Sequence, residues 1–141
     1  MSPVDADAVR RVSDAFYRAF EALDITRIDE IWSHDEHVVC VQPGWERMIG
    51  WPRVRASFEQ IFKDTIDIKF HIEETSLRVS GDLAAMSVIE NLRSHVPEGG
   101  VVGQVLAVNV FERQQGVWRM VCHHATPFQA QPTKGSPGFV H

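Results

Sequence analysis

Glu90 is the residue most at odds with its surroundings. It lies in a strand-like run, Leu83 to Val96, that is otherwise largely apolar. A carboxylate there must be paired, hydrated inside a cavity, or protonated. A cavity acid of that kind can move a proton on a bound molecule; the competing reading is a rim ion pair with Arg119 or Arg55. His123 and His124 form the second candidate. Successive strand residues point to opposite faces, so the two imidazoles cannot serve one site. One of them can act in a pocket as proton shuttle or ligand contact. Asn109 and Gln42 are uncharged amides in apolar strands, suited to orienting a substrate oxygen. Trp32, Trp45 and Trp51 flank the first strand and the third helix, where rings can wall an apolar pocket. Trp45 follows the Pro43-Gly44 turn and is expected at the mouth. For Trp32, ordinary core packing competes with that role.

Other chemistries find no support. His34 and His37 have a spacing that can bind metal, but they sit in a polar loop with no third ligand, so no metal site is expected. There is no glycine-rich phosphate loop, GxSxG turn or Ser-His-Asp set, and no cofactor is expected. The 141 residues carry a net charge of −5, which gives no general reason to approach nucleic acid or an anionic membrane. No apolar stretch reaches the roughly 18 residues that span a bilayer. The start, MSPVDADAVRR, lacks the apolar run of a secretory signal, so a cytoplasmic location is expected. Cys40 and Cys122 read as small buried hydrophobes.

The elements that must position these residues change period near Asp64. Ser2-Pro3-Val4-Asp5 is a helix start, and Val9, Val12, Phe16, Ala19, Phe20 and Leu23 form one apolar stripe. Asp24 can cap a short second helix. His37 to Gln42 reads as a strand, and Gly50-Trp51-Pro52 opens a third helix. Beyond it, alternating and strand-length apolar blocks run from Ile66 to Ala125, with a phase slip at Glu74-Thr75. Helices followed by a meander predict an α+β fold, the helices covering one face of an antiparallel sheet. Residues 1–127 form one domain, and 128–141 a tail. The last three strands are apolar on both sides, so a homodimer through the outer face of the sheet is expected.

Turn lengths set the faces. If Pro97-Glu98-Gly99-Gly100 is a four-residue turn, Val96 pairs with Val101, and Glu90 and Asn109 share a face. If Gln114-Gln115-Gly116 is a three-residue loop, Arg113 pairs with Val117. Arg119, Val121, His123 and Ala125 then join that face, while Trp118, Met120, Cys122 and His124 take the other. A two-residue turn exchanges the two sets, so His123 and His124 both remain candidates, with His123 favoured.

Several segments resemble the SnoaL-like branch of the nuclear transport factor 2-like superfamily. They are Phe16 to Asp24, Ile31-Trp32, Val38 to Gly44, Gly50-Trp51, and Gly116 to Pro127. The resemblance implies a cone: a strongly curved antiparallel sheet wrapped on three helices (the cystatin-like fold), with a pocket at the open end and usually dimeric. In the ketosteroid isomerase branch, a first-helix Tyr and a strand acid donate to an oxyanion, and an Asp removes the proton. Matched on Asp24, the Tyr position falls on Phe16; Tyr17 is adjacent and is expected about 100° away around the helix. The Asp position falls on Gln42, which is no base, and the donor position on Asn109. The last strand is also similar to the association domain of calmodulin-dependent kinases, with Ala125 in place of its Arg. Two functions follow as expectations. One is cofactor-free acid–base chemistry on a small apolar carbonyl compound, with Glu90 and His123 catalytic and Gln42, Trp45, Asn109, Tyr17, Trp32 and His124 binding. The other is a ligand-binding or dimerisation module without turnover.

Overall fold

The computed structural model describes residues 2–128. Helix α1 (Pro3–Glu21) starts as the sequence predicts, with Ser2 Oγ accepting from the Asp5 N–H. It ends in a Schellman turn. Leu23 N–H donates to Phe20 O at 3.0 Å, Asp24 N–H to Ala19 O at 3.1 Å, and Leu23 takes the left-handed conformation. Asp24 then caps α2 (Ile25–Ile31), its Oδ1 accepting from the N–H groups of Thr26 and Arg27. Short strands β1 (Val39–Val41) and β2 (Met48–Ile49, not foreseen) precede α3 (Trp51–Asp64). Gly50 opens α3 at φ 93°, where a side chain would be strained.

The meander comprises β3 (Asp67–Ser80), β4 (Leu83–Val96), β5 (Gly99–Gln114) and β6 (Val117–Phe128). The sheet runs β2-β1-β6-β5-β4-β3, with β1 parallel to β6 and every other pair antiparallel. It is curved and unclosed, and the helices cover its inner face. The phase slip is a bulge: Glu74 pairs with Val88, and Ser76 with Ser87. The core gathers Phe16, Phe20, Trp32, Phe58, Phe111 and Met120. β6 runs through Pro127 to Phe128, where a tail was expected to begin; the rest of that tail lies outside the described residues. Among the described residues no helix is long and apolar enough to cross a membrane. Both cysteines are free; Cys40 is buried, and Cys122 is only half-buried.

Two turns differ from expectation. Pro97-Glu98 alone joins β4 to β5, so Val96 pairs with Gly99. The register slides by two residues, which preserves parity, and Glu90 and Asn109 still share the inner face. Between β5 and β6, Gln115 and Gly116 both have positive φ (52° and 81°), the geometry of a two-residue type I′ turn. Gln114 pairs with Val117, so Trp118 and Met120 point inward and Arg119 outward, the reverse of the expected sets. A bulge at Val121 restores parity: Phe111 pairs with Met120, and Val110 with Cys122. His123 and Ala125 therefore turn inward, while His124 is exposed on the outer face.

Candidate functional site

Four buried polar side chains from four elements form one hydrogen-bonded chain. Tyr17 on α1 donates its hydroxyl hydrogen to Glu90 Oε2 on β4 at 2.6 Å. Asn109 Nδ2 on β5 donates to Tyr17 Oη at 3.0 Å. His123 Nδ1–H on β6 donates to Asn109 Oδ1 at 2.6 Å. Asn109 and His123 are direct cross-strand partners, and Glu90 stands four residues along β4 from Met86, which faces Asn109. None of the four is more than 4% exposed.

Burial dominates their electrostatics. It lifts the Glu90 carboxyl to about 7 despite the opposing bond from Tyr17. Burial, then the charge and hydrogen bond of Glu90, push the Tyr17 phenol well up. Burial, with a smaller contribution from His124, holds the His123 imidazole down to about 3, so it is neutral. The rim ion pair is not what the structure forms. Arg55 pairs with Asp29 at 2.7 Å and with Glu59, and Arg119 donates to Glu30 O at 3.0 Å. Among the described residues no cation pairs with Glu90.

Glu90 and His123 line a cavity of about 340 Å³ between the helices and the sheet. Its wall is mainly apolar: Phe20, Ile61, Ile68, Phe70 and Leu92, with Val101 and Trp45 towards the outside. Trp45, 41% exposed, lies at the outer edge of this lining. Gln42 also lines it, and its orientation is fixed. The Ser57 hydroxyl gives its hydrogen to Val54 O at 2.6 Å, so Ser57 Oγ can only accept from Gln42 Nε2, 3.3 Å away. The hydroxyls of Ser94 and Thr65 are spent on Asp67 O and Ile61 O.

Four sequence expectations need correction. Asn109 does not reach the cavity; its amide is committed to Tyr17 and His123 behind the wall. Tyr17 does not point away from the site. The buried stripe of α1 includes Ser13, Phe16 and Tyr17 together, and a helix face this wide admits two adjacent residues. Tyr17 supports Glu90 from behind and lines a separate cleft beside α1. Trp32 packs in the core against Trp51, Phe16 and Phe58, away from the cavity. His124 faces outward. The apolar wall residues Phe20, Ile68, Phe70 and Leu92 carry no chemical motif, and inward parity is the one signal the sequence holds for them. His34 stacks on Trp51 at 4.6 Å, and no metal-binding cluster occurs among the described residues.

Residues 9–129 match the SnoaL-like domain, and the chain belongs to that family. A solved structure from Streptomyces avermitilis, described as a proposed dehydratase of the NTF2-like family, is 29% identical. The match covers 92% of this chain and 100% of that one, with a TM-score of 0.84. A proposed calcium/calmodulin-dependent protein kinase type II association domain from Thiobacillus denitrificans is 31% identical, covering 84% and 93% of the two chains, with a TM-score of 0.75. The F-box protein SKIP8 of Arabidopsis thaliana is 24% identical over 119 residues, 84% of this chain. The chain spans about half the length of that curated relative, 49%.

Proposed function

We propose that the cavity binds a small, largely apolar carbonyl compound and that Glu90 moves a proton on it without a cofactor. The observation that carries this reading is a buried carboxyl, paired with no cation among the described residues and poised near neutral pH, on an apolar wall. Glu90 Oε1 takes a hydrogen from the carbon beside the carbonyl, and the C–H electrons pass into the enolate. The Glu90 carboxylic acid then returns that proton. Delivered to another carbon, it completes an isomerisation. Delivered to a β-hydroxyl as that C–O bond breaks, it releases water, the reaction class named for the Streptomyces protein. Gln42, which has a second amide hydrogen, is the wall residue suited to the carbonyl oxygen.

The test is deuterium uptake next to the carbonyl in D2O, followed by NMR across a panel of cyclic ketones and β-hydroxy ketones. Wild type accelerates exchange, with a rate that rises through pH 7. Glu90→Gln loses it by about 10²-fold or more. Equal exchange by the two proteins rejects the reading. A second reading, binding without turnover in a dimerising module, is favoured by the outer face. Val102, Leu106 and Val108 on β5 are 81%, 42% and 44% exposed, and two copies pairing there would cover them. Ligands that raise the melting temperature without any exchange would select it.

A further inference from the structure

The hydrogen-bond chain has a direction, and the direction constrains the ligand. With Glu90 ionised, its Oε2 can only accept, so the single hydrogen of the Tyr17 hydroxyl is committed to it. Tyr17 Oη must then accept from Asn109, which turns the amide so that Nδ2 faces Tyr17 and Oδ1 faces His123. A carbonyl oxygen only accepts, so His123 carries its hydrogen on Nδ1, and the neutral ring leaves Nε2 as a bare lone pair. No described group donates to Nε2 or to Glu90 Oε1. The sole sealed and unpartnered side-chain nitrogen or oxygen among the described residues is Trp32 Nε1. Nε2 and Oε1 are therefore not sealed, and the residues that carry them line the cavity. The wall presents two acceptors, so an oxygen without hydrogen placed against His123 would leave both lone pairs unmatched.

We propose that His123 Nε2 selects a ligand bearing a hydroxyl group beside its reactive carbon, the hydroxyl donating to Nε2 while Glu90 Oε1 faces the C–H. This rests on the reading of the cavity as a ligand site and narrows the carbonyl compound to a hydroxylated one. His123 is then a specificity residue whose tautomer is set by Glu90, three hydrogen bonds away.

The test uses ¹⁵N-histidine-labelled full-length protein at pH 8.5, with 2-naphthol, 2-methoxynaphthalene and naphthalene as probes. In the free protein His123 Nδ1 is protonated and Nε2 has the pyridine-like shift of an unprotonated nitrogen. 2-Naphthol moves the Nε2 resonance and binds about tenfold tighter than 2-methoxynaphthalene, whose oxygen cannot donate. His123→Phe removes that preference while naphthalene still binds; if this variant does not fold, the wild-type resonances decide. A proton on Nε2, equal affinity for the naphthol and its methyl ether, or a naphthol that leaves Nε2 unmoved overturns the proposal. None of these readouts needs turnover, so they stand or fall separately from the Glu90 exchange assay.

Discussion

Replacing Glu90 with Gln is expected to change how stability responds to pH, because burial raises the Glu90 carboxyl. The Glu90 carboxyl titrates near 7 in the folded chain against an ordinary value of 4.5. Between those values the folded state holds a proton that the unfolded state has released, so stability falls as pH rises through the window. At about 1.4 kcal/mol per pH unit, the loss totals about 3 kcal/mol. Glutamine keeps an amide oxygen for Tyr17 but has nothing to ionise. The difference between variant and wild type should therefore shift by about 3 kcal/mol in the variant's favour between pH 4.5 and pH 8. Fixed costs of the substitution cancel from that shift. His123 works in the opposite sense. Its value of about 3 lies below the ordinary 6.5, so its contribution to stability is lost as pH falls from 6.5 to 3. Wild type is thus nearly level between pH 4.5 and 6.5 on these two groups, whereas Glu90→Gln rises across that range. Urea unfolding at fixed pH values from 4 to 8.5, with m-values compared, measures this directly. A difference that stays constant across that range would refute the claim that Glu90 is ionised against a burial cost.

Tyr17→Phe strands Glu90 Oε2 and Asn109 Nδ2 together, so it should cost about 1–3 kcal/mol. It should also raise the Glu90 titration further, because the lost bond was lowering it; ¹³C carboxyl NMR reads that midpoint, and an unmoved value contradicts the geometry. Phe58 is fully buried against Phe16, Phe20 and Trp32, so Phe58→Ala should lose about 3–5 kcal/mol in urea unfolding. A loss below about 1 kcal/mol would mean the aromatic cluster is not packed in solution. Val108→Lys on the outer face should yield a folded monomer where wild type sediments as a dimer; a monomeric wild type disposes of the proposed interface.

Local chemistry settled much of this protein in advance. Ser2 and Asp24 cap helices because their oxygens suit the first free N–H groups. The alternation in β3, β4 and β5 sorts inner from outer residues wherever a strand is regular, and Glu90 and Asn109 share a face whether the β4–β5 turn has four residues or two: a two-residue slide leaves parity intact. Tertiary structure decided what depends on contacts between distant segments. The β5–β6 turn was one residue shorter than expected, and only the bulge at Val121 returned His123 to the interior, a compensation that strand pairing imposes and no local motif announces. The pairing of Tyr17 with Glu90 joins residues 73 apart in sequence. Residue types could place an acid in an apolar strand, but which hydroxyl reaches it depends on how α1 rolls on the sheet, and packing alone fixes that angle.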